Sequence, residues 1–236
     1  MTVELIYGDS YEIIKNVSDN SIDLVVIDPP YDIQVEQGTG AFGVKKKLNY
    51  GEIKGISKGF DFSVLDELCR VMKKINLYIW CSRKQILPLL KYFVEQKKCY
   101  WTPINWCKDN TVPTCNNKYR SDVETCLFFR EKGVPLYGTA YSKVTYYVTH
   151  TNKEDKKKYN HPTVKPLQII KNFIINSSKE GDLVLDIFSG SGTTAVACEE
   201  LKRRCIAIEN NEKYFKTSVA RLEATIEQMK TKEKEI

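Results

Sequence analysis

An acidic motif that contains two prolines follows the second apolar run of the sequence. It reads Asp28-Pro29-Pro30-Tyr31 and comes directly after the run Ile22–Ile27. Because proline fixes its own backbone φ, the motif holds the Asp28 carboxylate and the neighbouring carbonyl groups in fixed directions. The Asp28 side chain and the Pro29 carbonyl can then accept both N–H groups of a planar amine, which frees the nitrogen lone pair to attack a positively charged methyl donor. The alternative is a plain turn that closes a strand, and the tetrapeptide alone does not decide between the two.

A second motif combines an acidic residue with closely spaced glycines near the C-terminus. It extends from Asp186 to Thr194 and reads D-I-F-S-G-S-G-T-T. Glycines permit a close approach of the backbone to a ligand, and a helix that begins near Thr193 offers unpaired N–H groups. The spacing lacks the third glycine of a dinucleotide fingerprint, and the absence of Gly-Lys-Ser/Thr excludes a P-loop. Alone this is an ordinary turn, but the next predicted strand ends in Glu209, where a carboxylate can accept ribose hydroxyls, and together the two predict a nucleoside ligand.

A third segment, residues 161–166, places polar side chains between prolines. It reads H-P-T-V-K-P and precedes the amphipathic stretch Leu167–Ser177. The prolines hold Thr163 and Lys165 near the N-terminus of the predicted helix. A lysine at this place can meet a carboxylate, such as that of a methionine moiety. The alternative is a simple lead-in to the helix.

Short apolar runs that alternate with amphipathic stretches predict the elements that position these motifs. Runs rich in Val and Ile, apolar on both faces, are typical of parallel strands covered by helices on both sides. We predict helices after Ser63, which has Asp66 at capping-box spacing, and over the C-terminal stretch that contains Phe215 and Ile226. The alternation indicates a doubly wound α/β sheet. The predicted strands are Val3–Tyr7, Ile22–Ile27, Asn76–Cys81, Leu183–Ile187 and Arg204–Glu209.

Two regions interrupt the alternation within what we predict to be one domain over residues 1–236. Residues 32–60 are rich in Gly and Lys and predict a long flexible loop, which contains Lys45, Lys46 and Lys47. Residues 108–160 are of mixed composition, and within them Ser121–Phe129 and Lys143–Thr149 alternate like antiparallel or edge strands.

The composition limits the class of protein but does not identify the reaction. The net charge of +6 and the pI of about 8.7 are compatible with a polyanionic partner without establishing one. Eight scattered cysteines without a C-x-x-C pair, together with only two histidines, predict reduced thiols in a cytosolic protein and no metal site. No run of 18 apolar residues is present, so we expect no membrane span, and the acidic residues near the N-terminus argue against a secretory signal.

Taken in order, the three motifs resemble those of the β-group of bacterial and phage DNA amino-methyltransferases, which methylate adenine N6 or cytosine N4. The resemblance extends from Tyr7-Gly8-Asp9 to about Asn211. It implies S-adenosyl-L-methionine as the cofactor and DNA as the partner. It also implies a Rossmann-like, circularly permuted sheet of seven strands, with helices on both faces and an antiparallel strand near one edge. The permutation explains why the glycine motif comes late in the chain.

The resemblance also implies roles for individual residues. Asp28 and Tyr31 engage a base that is flipped out of the duplex, and Pro29 and Pro30 complete this catalytic motif. The loop lysines Lys45–Lys47 are candidates for DNA phosphate contacts, with a solvated charge run as the alternative. The residues expected around the cofactor are Asp9, Asp28, Thr163, Lys165, Asp186, Phe188, Ser189, Gly190, Ser191, Gly192, Thr193, Glu209 and Asn210.

The first residue of the tetrapeptide favours one substrate. Asp at this position resembles adenine-N6 enzymes more than the S-P-P-Y of many cytosine-N4 enzymes. The alternatives are a cytosine-N4 enzyme, a methyltransferase of RNA or protein amines, and a nucleic-acid-binding domain that has lost catalysis. Residues 108–160 predict a small target-recognition region and hence a short or relaxed target site. The resemblance allows for a homodimer and a cognate restriction enzyme as partners, in the cytoplasm.

Overall fold

A mixed β-sheet of eight strands forms the centre of the computed structural model, which describes residues 2–32, 59–111, 117, 119–159 and 163–234. The strand order is β1-β8-β7-β2-β3-β5-β4-β6, and β5 alone among these strands runs antiparallel to its neighbours, β3 and β4. The strands are β1 Val3–Tyr7, β2 Leu24–Ile27, β3 Asn76–Cys81, β4 Tyr100–Lys108, β5 Val123–Arg130, β6 Tyr146–Thr149, β7 Leu183–Asp186 and β8 Arg204–Glu209.

Helices cover both faces of this sheet. The first is followed by a 3-10 turn over Ile14–Asn16, and the third continues as a π-helical segment over Lys91–Gln96. The described helices are α1 Ser10–Ile13, α2 Val64–Val71, α3 Arg83–Leu90, α4 Lys153–Lys158, α5 Leu167–Ser177, α6 Thr193–Glu200 and α7 Glu212–Lys234. Within the described ranges, no helix is long and apolar enough to cross a membrane.

Strand β2 shows why the apolar runs form buried strands. All four of its residues are buried, and successive side chains enter opposite layers of the core. Val25 and Ile27 pack with α2 and the π-helical segment, whereas Leu24 and Val26 join the layer that contains Phe173 of α5. A strand that is apolar on both faces is therefore stable only between two helical layers.

The strand order confirms the predicted permuted α/β fold. The C-terminal strands β7 and β8 lie between β1 and β2, so the chain begins and ends within one half of the sheet. The predicted count of seven strands is wrong, because β6 pairs in parallel with β4 and adds an eighth strand beyond it. The antiparallel strand β5 consequently lies third from that edge.

Most predicted elements are found with small changes at their ends. β1, β3, β8 and α5 match their predicted bounds, while β2 begins at Leu24 and β7 ends at Asp186. The stretches Ser121–Phe129 and Lys143–Thr149 are observed as β5 and β6.

Other expectations about the elements failed or fall outside the described residues. The capping box at Ser63 is wrong, since its backbone is already helical and its side chain makes no cap hydrogen bond; instead its N–H donates to Asp61 at 2.9 Å. Strand β4 and helix α3 were not predicted. Most of the expected loop over 32–60, including Lys45–Lys47, lies outside the described residues.

Candidate active site

The carboxyl ends of three adjacent parallel strands bring the first two sequence motifs together. Strands β2, β7 and β8 lie side by side, and Asp28 follows β2, while Asp186 and Glu209 end β7 and β8. This edge is where open α/β sheets bind ligands. The acidic side chains belong to two groups of residues with different surroundings.

We call the first group the Asp28 cluster: Asp28, Tyr31, Lys108, Glu124 and Lys165. The Lys165 ammonium group donates to Oδ2 of Asp28 at 2.5 Å and to the Tyr31 hydroxyl at 3.2 Å, and it lies 3.1 Å from Oε2 of Glu124. Lys165 is only 5% exposed. The third motif therefore reaches the first one across the sheet, and its lysine is paired with the Asp28 carboxylate.

The geometry around Lys165 leaves parts of the tetrapeptide available. Nζ lies 5.2 Å from the centroid of the Tyr31 ring but 3.2 Å from its hydroxyl oxygen, so the ammonium group contacts the hydroxyl edge and not the ring face. Oδ1 of Asp28 is buried and accepts no hydrogen bond from any residue that the structure describes. One oxygen of the Asp28 carboxylate thus has no hydrogen-bond donor among the described residues at the end of β2.

Two lysines hold Glu124 in its ionised form. One oxygen of Glu124 contacts the Lys108 ammonium group and the other contacts Lys165. Burial alone would raise the pKa of Glu124, but the two cations lower it to about 2. In Asp28 burial prevails, and it raises the pKa of that carboxyl although Lys165 opposes the shift. The cluster therefore combines a strongly acidic carboxyl with a more basic one.

Helix α3 fixes the backbone of the tetrapeptide. The Gln85 amide donates to the Pro30 carbonyl at 3.0 Å, while its oxygen accepts the N–H of Ser82 at the start of the helix. The residue that caps α3 thus also anchors the turn after β2. The Pro29 carbonyl stays the predicted second acceptor for an amine.

The second group, the glycine-loop cluster, consists of Asp186, residues 188–193 and Glu209. Glu209 accepts the N–H of Gly190 at 2.7 Å and the N–H of Asn211 at 2.8 Å. Gly192 has φ +76°, and a Cβ at this position would lie 2.8 Å from Cβ of Ser218. Both the left-handed backbone and the close contact with α7 therefore require glycine here.

Arg221 of α7 fixes the same loop from the side of the helix. Its guanidinium group donates to the Thr193 hydroxyl at 2.9 Å and to the Ser191 carbonyl at 3.2 Å. Arg221 is buried and stacks on the Tyr159 ring, whose centroid lies 4.2 Å away. The loop conformation is thus determined by the C-terminal helix as well as by its own glycines.

The two acids of the glycine-loop cluster are held without a counter-charge. Asp186 accepts the N–H of Phe188 at 3.0 Å, and burial raises the pKa of this carboxyl to about 7 although hydrogen bonds from Thr194 and Phe188 oppose the shift. Burial also raises the pKa of Glu209 against the pull of the backbone N–H groups. In the part of the chain that the structure describes, no lysine or arginine forms an ion pair with either acid. A positively charged ligand would stabilise both as anions.

Three further residues predicted to bind the cofactor, Asp9, Asn210 and Thr163, lie outside the glycine-loop cluster. Asp9 caps α1 by accepting the N–H of Tyr11 at 2.9 Å, and Gly8 bonds to the carbonyl of Glu209, which brings Asp9 beside β8. Asn210 and Thr163 are exposed. Within the cluster, the centroid of the Phe188 ring lies 6.1 Å from the centroid of the Phe60 ring.

The residues of the glycine-loop cluster fit a nucleoside that carries a cation. Ser189 has a buried hydroxyl without a hydrogen-bond partner among the described residues. The Glu209 carboxylate keeps acceptor sites beyond its contacts with backbone N–H groups, and α6 begins directly after Gly192. Hydroxyl donors and acceptors and a positive charge would satisfy these groups. The described residues contain no group of three His, Cys, Asp or Glu side chains that could hold a metal ion.

Sequence reasoning missed four residues that shape these clusters. Glu124 and Lys108 lie on β5 and β4, and Gln85 and Arg221 lie on α3 and α7. No local spacing links any of them to a motif, because each contact joins residues that are far apart in the chain. A partial signal was the capping pattern of Gln85, three residues after Ser82.

Comparison with known proteins identifies the family of this chain. A DNA methylase family model, the N6/N4 methyltransferase family, matches residues 22–220. The chain is 28% identical to the type II methyltransferase M2.LlaDCHI of Lactococcus lactis subsp. cremoris, over 92% of this chain and 88% of that protein. It is 27% identical to the type II methyltransferase M2.DpnII of Streptococcus pneumoniae, over 93% of this chain and 89% of that protein.

Solved structures share the architecture. The structure of the M1.HpyAVI–SAM complex is similar with a TM-score of 0.66 and 25% identity, over 93% of this chain and all of that chain. The PvuII DNA methyltransferase, which is cytosine-N4-specific, shares the fold with a TM-score of 0.71 and 19% identity, over 94% of this chain and 86% of that chain. The permuted sheet and the family match together show that the chain belongs to the N6/N4 DNA methylase family and uses S-adenosylmethionine as its cofactor.

Proposed function

We propose that this protein is a site-specific DNA methyltransferase that transfers a methyl group from S-adenosylmethionine to the N6 amine of a flipped adenine. The observation that carries the proposal is the Asp28 carboxylate, whose buried Oδ1 accepts no hydrogen bond from the described residues. Asp28 follows strand β2, which is the neighbour of strand β7 of the glycine-loop cluster. The relatives of this chain among the type II methyltransferases support site-specific action on DNA.

The glycine-loop cluster is the proposed cofactor site. S-adenosylmethionine supplies an electrophilic methyl group on a positively charged sulfur. Glu209 would accept hydrogen bonds from the ribose hydroxyls, and the N–H groups at the start of α6 would bind polar atoms of the cofactor. Asp186 would be ionised more readily beside a cation, because its pKa of about 7 results first of all from burial.

The Asp28 cluster is the proposed amine site. Oδ1 of Asp28 would accept one amine N–H and the Pro29 carbonyl the other, which localises the lone pair on nitrogen for in-line attack. The methylated nitrogen carries a positive charge and must release a proton. Asp28, whose pKa is raised by burial, is suited to accept it. The ring of Tyr31, which follows Asp28 in the same motif, would stack on the ring of the flipped base.

Adenine is the proposed base, since Asp occupies the first position of the tetrapeptide. The same arrangement of acceptors would serve the N4 amine of cytosine, and the fold shared with the cytosine-N4-specific PvuII enzyme makes this the second candidate. Both reactions use the same atoms of Asp28 and Pro29. The choice between them therefore depends on the shape of the base site.

The test is transfer of a labelled methyl group to DNA, followed by digestion to nucleosides. We expect label in N6-methyl-2′-deoxyadenosine, with the Asp28→Ala variant as the inactive control. Label in N4-methyl-2′-deoxycytidine would replace the adenine assignment by the cytosine one. Label that enters RNA in place of DNA would contradict the proposed substrate altogether.

The target site is proposed to be short or relaxed. Residues 108–160, which contain β5, β6 and α4, are short for a target-recognition region, and we therefore expect them to contact few base pairs. Sequencing of methylated DNA from cells that express the protein would reveal a long, strict motif if this is wrong. Phosphate contacts by Lys45–Lys47, a homodimer, a cognate restriction enzyme and a cytoplasmic location stay predictions.

A further inference from the structure

We infer that Lys165 is a positioning residue for the Asp28 carboxylate and not a ligand of the cofactor, and that Glu124 and Lys108 hold it in place. This inference rests on the proposed function, because it assigns the amine-binding oxygen of Asp28. It departs from the cofactor role that the family resemblance implies for Lys165.

The donors of Lys165 are already used. An ammonium group has three N–H donors, and three acceptors surround this one: Oδ2 of Asp28, Oε2 of Glu124 and the Tyr31 hydroxyl, at 2.5, 3.1 and 3.2 Å. Lys165 is buried, so a lost partner would not be replaced by solvent. Binding of a cofactor carboxylate would require Lys165 to give up one of these contacts.

The four charged groups alternate in sign. Lys108 contacts Glu124, Glu124 contacts Lys165, and Lys165 contacts Asp28, so that two cations and two carboxylates cancel. Neutrality makes the burial of four ionised groups tolerable, whereas loss of one partner leaves an uncompensated charge. Glu124 also lies directly opposite Trp106 on the neighbouring strand β4, which brings Lys108 within reach. The sheet therefore fixes Glu124, and Glu124 fixes Lys165.

The contact with Lys165 fixes the orientation of the Asp28 carboxylate. With Oδ2 of Asp28 bound to Lys165, the carboxylate cannot rotate without breaking an ion pair at 2.5 Å. Oδ1, which has no donor among the described residues, is then the oxygen left to accept the amine N–H. A displacement of about 1 Å in a reacting group costs on the order of 100-fold in rate, so this orientation matters for methyl transfer.

The experiment separates positioning from cofactor binding with three variants. Lys165→Met removes the ammonium group. The double variant Glu124→Gln/Lys108→Met removes one charge of each sign and keeps the pair between Lys165 and Asp28. Lys73→Met is the matched control, because Lys73 pairs at 2.6 Å with Asp23, at the other end of the same strand β2, and is half-exposed.

Each variant is measured in two ways: the dissociation constant of S-adenosylmethionine by calorimetry, and the single-turnover rate of DNA methylation at saturating cofactor and DNA. For Lys165→Met we expect the rate to fall about 100-fold or more while the dissociation constant changes less than about threefold. For the double variant we expect a fall of about tenfold with unchanged cofactor affinity. Lys73→Met should match the wild type in both.

The pH profile of the single-turnover rate gives a readout that a merely structural role would not move. The negative charge of Glu124 raises the pKa of Asp28. Without this charge, the methylation rate of the double variant should begin to fall at a lower pH than the rate of the wild type. Besides the members of the cluster, the titratable groups that interact with it are Lys156 of α4, the thiols of Cys81 and Cys126, and Asp186 of the adjacent strand β7. All four are present in every variant. Glu124 raises and Lys108 lowers the pKa of Lys156, so the removal of both charges together leaves opposing effects on this group.

A rise of tenfold or more in the dissociation constant of Lys165→Met, with the saturated rate intact, would assign Lys165 to the cofactor and overturn the inference. A double variant with wild-type rate and pH profile would overturn the role of Glu124 and Lys108, even where circular dichroism shows that Lys165→Met does not fold. Wild-type protein that binds the cofactor but methylates no DNA would instead refute the proposed function and, with it, this inference.

Discussion

The two acidic clusters at the carboxyl edge of the sheet bury carboxylates in opposite ways. In the Asp28 cluster, Asp28 and Glu124 are both paired with lysines. In the glycine-loop cluster, Asp186 and Glu209 are held by backbone N–H groups and form no ion pair among the described residues. The difference is large in terms of protonation, since Glu124 has a pKa of about 2 and Asp186 a pKa of about 7.

Charge compensation explains this contrast. Burial disfavours an ionised carboxyl in both clusters, but only the Asp28 cluster contains the cations that offset this cost. On the proposed assignment, the amine substrate is neutral, so the Asp28 cluster must be balanced by the protein itself. The cofactor carries a positive charge, so the glycine-loop cluster, as its proposed site, can leave two acids unbalanced until the cofactor binds. The clusters should therefore respond differently to mutation and to pH.

The largest effect is expected at Asp28. Asp28→Ala removes the acceptor of the amine and should lower the single-turnover rate of methylation by about 1000-fold or more. The dissociation constant of S-adenosylmethionine should change less than about threefold, because no contact of the glycine loop is lost. Rapid-quench assays and calorimetry measure the two quantities. Loss of cofactor binding with an intact rate at saturation would reverse the roles of the two clusters.

An intermediate effect is expected at Glu209. Glu209→Gln loses the ionised acceptor for the ribose hydroxyls, and we expect the dissociation constant of the cofactor to rise about 10- to 100-fold. The rate at saturating cofactor should stay within about threefold of the wild type. Glu212→Gln is the matched control, since Glu212 is exposed and pairs with Lys216 at 2.5 Å. A Glu209 variant that binds the cofactor normally would remove this acid from the site.

The smallest effect is expected from pH. Asp186 has a pKa of about 7 and is influenced by the charges of Asp28 and Glu209, and a cation beside it favours the ionised form. Cofactor affinity should therefore weaken by up to about tenfold per unit as the pH falls below 7. Calorimetry between pH 6 and pH 8 measures this dependence, and Asp186→Asn should flatten it. A wild-type affinity that is constant over this range would show that Asp186 does not titrate with cofactor binding.

The raised pKa of Asp186 also determines whether the stability of the cofactor-free protein rises or falls with pH. The unfolded chain releases the Asp186 proton near pH 4, whereas the folded protein retains it up to about pH 7. The folded state thus binds more protons in this window, and the contribution of Asp186 to stability falls as the pH rises through it. Glu124 contributes in the opposite sense, with stability present above the ordinary carboxyl pKa and lost as the pH falls towards 2.

Local patterns predicted those parts of the fold that depend on local burial. β1, β3 and β8 were predicted with their observed bounds, since runs of apolar residues report burial on both faces directly. Strand β4 was missed because Tyr100 and Trp101 are exposed and Pro103 interrupts the run. Helix α3 was missed in a stretch that contains Pro88, which the helix accommodates in its interior.

By itself the sequence determined which chemistry-bearing motifs exist and which strands they follow. Parallel strands end at a common edge, so Asp28, Asp186 and Glu209 could be expected to lie near one another. Only the tertiary structure decided which charges meet there. Lys165 contacts Asp28 across 137 residues of sequence, and Glu124 reaches both lysines because β5 is inserted between β3 and β4. The partner of a buried charge is determined by how strands pair, and no local spacing encodes that pairing.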